Sequence, residues 1–347
     1  MKRFEKALRR EGTAFTMANR LSNRTRTFGY SLAFTMAEIL ISLTIIGIVA
    51  AITLPSLMAN VTEKAWDAQR KALHTRLAQA IATVDLGDMR GYKDGDTTVT
   101  GAEKFIREGI GRALSLKDKS DAQIVPSVFN MNGGITEDLH VLCSENGIGY
   151  SIHEDPSCGR FQTANGESVM VTVAESCMSD EDSLFESACL NFIYDLNGIK
   201  GPNTVGKDIG FMTAFYADKP LLVAPMPAYY SEKPMKPEGI RGKTDYREGR
   251  LPSPEEMMSI VINQNLIGLS LQAGSLYWTS EQINAGYAIV DGDEIPTGNG
   301  YAVGNIGKKK TSLTTALKYF LVTPDGSAPK KFRIEQDEED HEPEAEA

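Results

Sequence analysis

The sequence contains few residues of the kinds that most enzymes use for catalysis. It has only four histidines among 347 residues (His74, His140, His153 and His341). It also has no Walker, Rossmann or G-x-S-x-G pattern, and no cysteine stands in a recognisable nucleophile context. We therefore predict that the chain is not an enzyme.

An excess of positive charge is also missing. The formal net charge is −10, whereas a general nucleic-acid-binding protein shows a concentrated basic face, so we predict no nucleic-acid partner. The charge is unevenly distributed: residues 1–33 carry a net +6, which leaves −16 for residues 34–347. Because Lys and Arg beside a long apolar run mark its cytoplasmic end, the acidic remainder is predicted to lie outside the cytoplasm.

The four cysteines (Cys143, Cys158, Cys177 and Cys189) include no C-x-x-C pair, which disfavours a zinc site. An even number in an oxidising compartment predicts two disulfides, for which three pairings are possible. Cys143–Cys158 with Cys177–Cys189 is preferred because it closes the shortest loops. Free buried thiols are the alternative.

One long apolar run lies near the N-terminus. Residues 39–54 contain no charged side chain, and the run continues past Pro55, which gives about 25 residues when counted from residue 34. This length is sufficient to cross a bilayer, and a secretory signal would have a shorter apolar core. Glu38 lies just inside the run, where a carboxylate is costly and usually has a partner charge.

Residues 33–38 (A-F-T-M-A-E), followed by ILISLTIIGIVAAITLP, closely resemble the processing site and helix of type IV pilins and type II secretion pseudopilins. The resemblance implies that a prepilin peptidase cuts between Ala33 and Phe34 and methylates the new amine. It further implies that Glu38 pairs with the N-terminus of a neighbouring subunit. Gly47 and Pro55 match positions where pilin helices bend or melt during assembly. The family usually has Gly before the cut, where this chain has Ala33.

The resemblance also implies partners and a location. Residues 1–33 would be a leader that is removed, and residues 34–86 a helix that crosses the inner membrane once before assembly into a cell-surface or periplasmic filament. The implied partners are the prepilin peptidase, other pilin-like subunits, the inner-membrane assembly platform and the membrane itself. A near copy of the motif at residues 14–18 (A-F-T-M-A) lacks the acid and the apolar run, so it is not expected to be cut.

Beyond Met58 the helical pattern persists as an amphipathic stripe. The apolar positions recur at three- and four-residue steps between Val61 and Val84, and charged residues, among them Arg70, take the other faces. The helix is predicted from about Thr35 to Leu86, with Gly87 as its C-terminal cap. Its first half would pack in a membrane or filament core and its second half against a folded head.

The predicted head, residues 87–236, consists of short strands between turn-forming clusters. Examples are Val169–Val173, Phe192–Asp195 and Phe211–Tyr216, which suggest an antiparallel sheet against the helix. A stretch rich in oxygen donors follows the second of these strands. It predicts either a calcium loop that uses Asp195, Asn197 and Asp208 or a simple hairpin built on Asn197-Gly198.

A second resemblance covers residues 242–325. The segments R-L-P-S at residues 250–253 and Y-W-T-S-E at residues 277–281 resemble the C-terminal lectin-like module of collagen-like bacterial adhesins. Ser253 is predicted to cap a helix. Tyr277 and Trp278 are interpreted as either core residues or a glycan-binding surface.

Residues 230–250 are predicted to be a linker, and the acidic tail at residues 328–347 is predicted to be disordered. The expected fold is therefore α+β: a long helix with a membrane half and an amphipathic half, an antiparallel β head and a small α+β module, C-type-lectin-like by the second resemblance. The expected function is that of a specialised filament subunit. A membrane-anchored adhesin that binds glycans is the alternative.

Overall fold

The computed structural model describes residues 35–84, 86, 101–114, 116, 128–136, 158–173, 184, 187–198, 200–217, 219–244, 249–271, 274–290, 293–304, 307–329 and 331–335. The predicted cleavage site at Ala33 and Phe34 lies outside these residues, as do Cys143, Cys177 and the proposed helix cap Gly87. Contacts divide the chain into two compact units, residues 1–57 and 58–347.

The N-terminal helix α1 extends over Met36–Ile81, a length of 46 residues. It confirms the predicted long helix but ends about one turn earlier than Leu86. In the first unit its large apolar side chains are exposed, from Met36 at 80% to Leu57 at 60%. In the second unit Leu73, Leu77 and Ile81 are fully buried in a core.

The helix α2 and the two smallest strands precede the main sheets. The elements are α2 (Gly101–Lys104), a short irregular helical segment over residues 105–112, β1 (Val128–Phe129) and β2 (Ile135–Thr136). The two strands pair with each other in an antiparallel hairpin.

The first large sheet is antiparallel throughout and has the strand order β3-β4-β5-β6-β7. Its strands are β3 (Cys158–Gln162), β4 (Ser168–Val173), β5 (Ala188–Asp195), β6 (Ile209–Phe215) and β7 (Leu221–Val223). Strands β4 and β5 contain the predicted strands Val169–Val173 and Phe192–Asp195, and β6 contains all of the predicted strand Phe211–Tyr216 except its last residue. All residues of β4, β5 and β6 are buried.

Burial on both faces follows from the twofold alternation of side chains along a strand. On β5, Phe192 and Tyr194 belong to the core that contains the second half of α1. Ile193, between them, belongs to a different core on the opposite face. The first sheet is thus covered by α1 on one face and by the elements described next on the other.

The second large sheet has the order β11-β10-β9-β12-β8-β13. It is mixed, because β12 is parallel to β9 and β13 is parallel to β8, whereas the other pairs are antiparallel. The strands are β8 (Pro227–Met235), β9 (Tyr277–Val290), β10 (Asp293–Gly304), β11 (Gly307–Ser312), β12 (Leu317–Val322) and β13 (Arg333–Glu335).

Among the described residues between β8 and β9 are the helices α3 (Pro237–Thr244), α4 (Pro254–Ile262) and α5 (Gln264–Ile267). Helix α4 contributes Met257 and Ile260 to the core that also holds Ile193 of the first sheet and Phe320 of the second. The two sheets therefore share one hydrophobic core, with α4 within it.

Three expectations about this part of the chain need correction. The predicted linker, residues 230–250, contains the end of β8 and all of α3. The tail was expected to be disordered from residue 328, yet β13 pairs with β8 as far as Glu335. The predicted boundary between the head and a C-terminal module does not coincide with a break in the core, because β8 lies in the predicted head but pairs within the second sheet.

Candidate functional site

The acid that the pilin resemblance singles out lies in the first turn of α1. The Glu38 Oε2 atom accepts hydrogen bonds from the Thr35 backbone N–H at 2.8 Å and from the Thr35 hydroxyl at 2.9 Å. In return, the Glu38 N–H donates to the Thr35 Oγ1 atom at 3.2 Å. This reciprocal arrangement is a capping box. The T-x-x-E spacing at residues 35–38 signals such a cap in the sequence, and we did not predict it.

The segment that follows Glu38 has the character of a membrane span. The most apolar part of α1 is not buried inside the protein. No residue between Ile39 and Thr62 is charged. By length and composition this helix could cross a membrane. Gly47 and Pro55 both lie inside the helix, and no atom outside the local backbone comes within 4 Å of where a Gly47 Cβ would be.

The second half of α1 is fixed to the head by Arg70, which is only 3% exposed. Its guanidinium donates to the hydroxyl of Tyr194 at 3.0 Å, to the carbonyl of Lys207 at 2.7 Å and to the carbonyl of Gly206 at 3.3 Å. It also forms an ion pair with Asp67. The sequence placed Arg70 on a helix face away from the apolar stripe, and this prediction was wrong because Arg70 is buried against the head. Its partners there are more than 120 residues away in the chain, so the local pattern could not indicate them.

The carbonyls that Arg70 binds belong to the loop between β5 and β6, which we call the 195–208 loop. Asp208 is fully buried, and its two carboxylate oxygens accept hydrogen bonds from the N–H groups of Thr204 and Asn203, both at 2.8 Å. Asn203 has a φ of 51°, a left-handed conformation that is uncommon for a residue other than glycine. The loop therefore wraps its backbone around the Asp208 carboxylate.

Asp195 begins this loop and is 1% exposed. Its Oδ1 atom accepts a hydrogen bond from the Asn197 N–H at 3.0 Å. The pKa of Asp195 is raised to about 7, mainly because burial disfavours the charged carboxylate and further because of the nearby charge of Asp208. The structure thus brings together Asp195, Asn197 and Asp208, the three residues that the sequence suggested as calcium ligands.

The two segments that resemble an adhesin module also meet in the structure. Arg250 pairs with Val322 of β12 through backbone hydrogen bonds, and the Ser280 N–H donates to the Pro252 carbonyl at 2.8 Å. Ser253 caps α4 in a complete capping box with Glu256, as predicted. Arg250 adds a two-point ion pair with Glu256, at 2.6 and 2.7 Å.

The aromatic pair at the start of β9 points to opposite faces of the second sheet, and both side chains are buried. Tyr277 is 2% exposed and lies in the core shared by the two sheets. Trp278 is 0% exposed, packs near Ile240 of α3, and donates from its indole N–H to the Met235 carbonyl at 3.0 Å. Neither ring is available to a glycan, so the structure supports the core interpretation of these residues and contradicts the ligand-binding one.

Cys189 of β5 is buried and disulfide-bonded. Its partner lies outside the side chains that the structure describes, so the pairing Cys177–Cys189 stays a prediction. The same applies to Cys143–Cys158, of which only the Cys158 backbone, in β3, is described.

Comparison with known proteins identifies no relative: no protein-family model matches the sequence, and neither a curated protein nor a solved structure is significantly similar to it. Within the part of the chain that the structure describes, no group of three or more His, Cys, Asp or Glu side chains is arranged to hold a metal ion. The features of the described residues that bear on function are therefore α1 and the 195–208 loop.

Proposed function

We propose that this chain is a structural subunit of a type IV pilus-like or type II secretion pseudopilus filament, specialised rather than major, and matured by a prepilin peptidase between Ala33 and Phe34. The observation that supports this proposal best is that the two parts of α1 have different surroundings. One continuous helix has an exposed apolar first part and a second part whose apolar stripe is buried in the head.

Exposed apolar side chains over such a length are not compatible with water as the only surroundings. The uncharged stretch from Ile39 to Thr62 spans about 36 Å as a helix, which is enough for the hydrocarbon core of a bilayer. A plain membrane anchor would need no acid directly before this stretch, inside the apolar run that starts at Phe34. Glu38 supplies one, and a carboxylate in that setting requires a cationic partner to offset its desolvation.

Cleavage before Phe34 creates such a cation four residues before Glu38. Among the described residues, the hydrogen bonds of the Glu38 carboxylate are to Thr35 only, and they leave its charge unneutralised. In our proposal, the monomer in the inner membrane keeps Glu38 bound to Thr35. In the filament, the carboxylate neutralises the Phe34 amine of a neighbouring subunit. The partners are then other pilin-like subunits and the assembly platform, and the filament is on the cell surface or in the periplasm.

The alternative, a membrane-anchored adhesin that binds glycans through a lectin-like module, is not favoured. The residues that carry the lectin-like resemblance have structural roles here: Ser253 caps a helix and Trp278 is a core side chain. In addition, the second sheet shares its core with the first. We therefore treat the lectin-like module as a resemblance of sequence and do not extend the proposal to glycan binding.

Processing can be tested by co-expressing the full chain with a prepilin peptidase and sequencing the mature N-terminus. We expect a chain that starts at methylated Phe34. Ala33→Leu should block cleavage, because the residue before the cut must be small in this family. The near copy of the motif supplies a matched control: Ala14→Leu should be cut normally. An intact N-terminus, or a cut after Met58, would overturn the proposal.

The role of Glu38 can be tested separately in an assembly assay. Glu38→Val should leave cleavage and membrane insertion largely intact but prevent entry into filaments, because the neighbour's Phe34 amine loses its partner. Glu63→Val is the matched control, because Glu63 is an exposed acid on the same helix beyond the apolar stretch. If both variants assembled as well as the wild type, the pairing role would be wrong.

A further inference from the structure

The 195–208 loop contains buried oxygen atoms that have no partner. Six side-chain nitrogen or oxygen atoms are buried without a hydrogen bond in the part of the chain that the structure describes. Three of them are in this loop: Asp195 Oδ2, Asn197 Oδ1 and Asn203 Oδ1. Because a buried polar group without a hydrogen-bond partner is unfavourable, three such atoms in one loop require an explanation.

A fourth atom of the same kind lies against the loop. Ser168 is fully buried on β4, directly opposite Asp195 in the sheet, and its hydroxyl is also unpartnered. It is the nearest atom to the position that a Gly198 Cβ would occupy, at 3.9 Å. The unpartnered atoms in the described residues are thus concentrated where β5 ends and the loop begins.

The buried carboxylates of the loop also require an explanation. Asp195 and Asp208 are both buried, and the N–H of Leu196, the residue after Asp195, donates to the Asp208 carbonyl at 2.9 Å. None of the ion pairs among the described residues includes either carboxylate. The nearby cation, Arg70, is paired with Asp67. A buried carboxylate that no described cation pairs with is unfavourable in its charged form, and a bound cation would stabilise that form.

We propose that the 195–208 loop binds one calcium ion, with Asp195 Oδ2, Asn197 Oδ1 and Asn203 Oδ1 as side-chain ligands. All of these donors are oxygens, one from a carboxylate and two from amides, and the loop is irregular, which suits the flexible coordination of calcium better than the strict octahedron of magnesium. Asp208 contributes its charge and orders the loop by accepting the N–H groups of Asn203 and Thr204. This assignment revises the ligand set suggested by sequence, since Asn203 replaces Asp208.

The ion would also affect α1, because Arg70 binds the Gly206 and Lys207 carbonyls at the far end of the same loop. Asp67, the ion-pair partner of Arg70, accepts a hydrogen bond from the Ala328 N–H at 3.1 Å. Ordering the loop therefore fixes the carbonyls that hold the second half of α1. Calcium binding is expected to stabilise the attachment of this helix to the head.

The test begins with the full chain in detergent, stripped of metal with a chelator and titrated with calcium chloride in a calorimeter. We expect one ion per chain, with a dissociation constant at or below about 1 mM, the range of extracellular calcium modules. Magnesium chloride should bind at least tenfold more weakly. Absence of calcium binding at about ten times that concentration, or equal binding of both metals, would overturn the site.

Variants then identify the ligands. Asp195→Asn and Asn203→Ala should each weaken calcium binding at least tenfold. Asn203→Ala leaves both carboxylates in place, so it tests the site even if Asp195→Asn does not fold. Asn265→Ala is the matched control, because Asn265 is an exposed asparagine of α5 and lies outside the loop. Unchanged binding by Asn203→Ala, or weakening by Asn265→Ala equal to that by Asn203→Ala, would contradict the assignment.

Hydrogen exchange with and without calcium tests the link to α1. Amides in residues 64–81 and 196–208 should exchange at least tenfold more slowly with calcium, whereas those of β11 in the second sheet should not change. Calcium binding without slower exchange in α1 would refute the effect of the ion on α1 but not the calcium site itself. The Glu38→Val chain should bind calcium like the wild type, so failure of the filament proposal and failure of this one are distinguishable.

Discussion

Replacing Trp278 by alanine is the sharpest single test of how the second sheet is stabilised. The indole is fully buried against Ile240 and Tyr319, and its N–H donates to the Met235 carbonyl. Removing a buried aromatic side chain typically costs about 3–5 kcal/mol, because apolar burial is lost and a cavity remains. The lost hydrogen bond adds about 1 kcal/mol. The total is a large part of the roughly 5–15 kcal/mol by which most domains are stable.

The assay is urea unfolding of the full chain in detergent, followed by circular dichroism. Trp278→Ala should lower the free energy of unfolding by about 4–6 kcal/mol. Trp278→Phe keeps most of the buried ring but not the N–H donor, so it should lose about 1–2 kcal/mol. Trp66→Ala is the matched control: Trp66 is the other tryptophan and is only partly buried, so its loss should be clearly smaller. A loss below about 1 kcal/mol for Trp278→Ala would refute the core role of this side chain.

Two further predictions concern the head. Asn191 of β5 and Asn263 at the end of α4 exchange side-chain hydrogen bonds at 2.9 and 3.1 Å inside the core. Asn263→Ala should therefore cost about 1–3 kcal/mol in the same unfolding assay, because Asn191 is left buried without that partner; a neutral effect would contradict this. Intact mass after alkylation without reduction should show no free thiols among the four cysteines. Four alkylated cysteines in protein from the envelope would refute the disulfide prediction.

Because the second sheet shares a hydrophobic core with the first, the predicted C-terminal module is not expected to be a separate domain. A fragment from about Gly242 to Pro324 would lack β8, which pairs with β12 in the second sheet. It would also expose the face of α4 that packs against Ile193 and Phe211 of the first sheet. We therefore expect this fragment not to fold by itself, although the lectin-like resemblance predicted a separate module.

The sequence by itself determined the features that depend on neighbours along the chain. The long helix, the strands around Val169–Val173 and Phe211–Tyr216, and the cap at Ser253 could all be predicted, because helical and strand periodicity and capping are local properties. The uncharged apolar stretch after Glu38 is likewise a local property of the sequence. The proposal of a filament subunit depends mainly on features of this kind.

Only the tertiary structure decided which polar and aromatic residues are buried. The sequence assigns Arg70 to a helix face away from the apolar stripe, yet Arg70 is buried and binds Tyr194 and the 195–208 loop. For Trp278 the sequence leaves both a core role and a glycan-binding role open, whereas the structure buries it in a core. Their partners are distant in the chain, so no local pattern reveals them. The calcium proposal has the same origin: the sequence supplied the oxygen donors, but burial without hydrogen-bond partners exists only once β4, β5 and the loop are folded together.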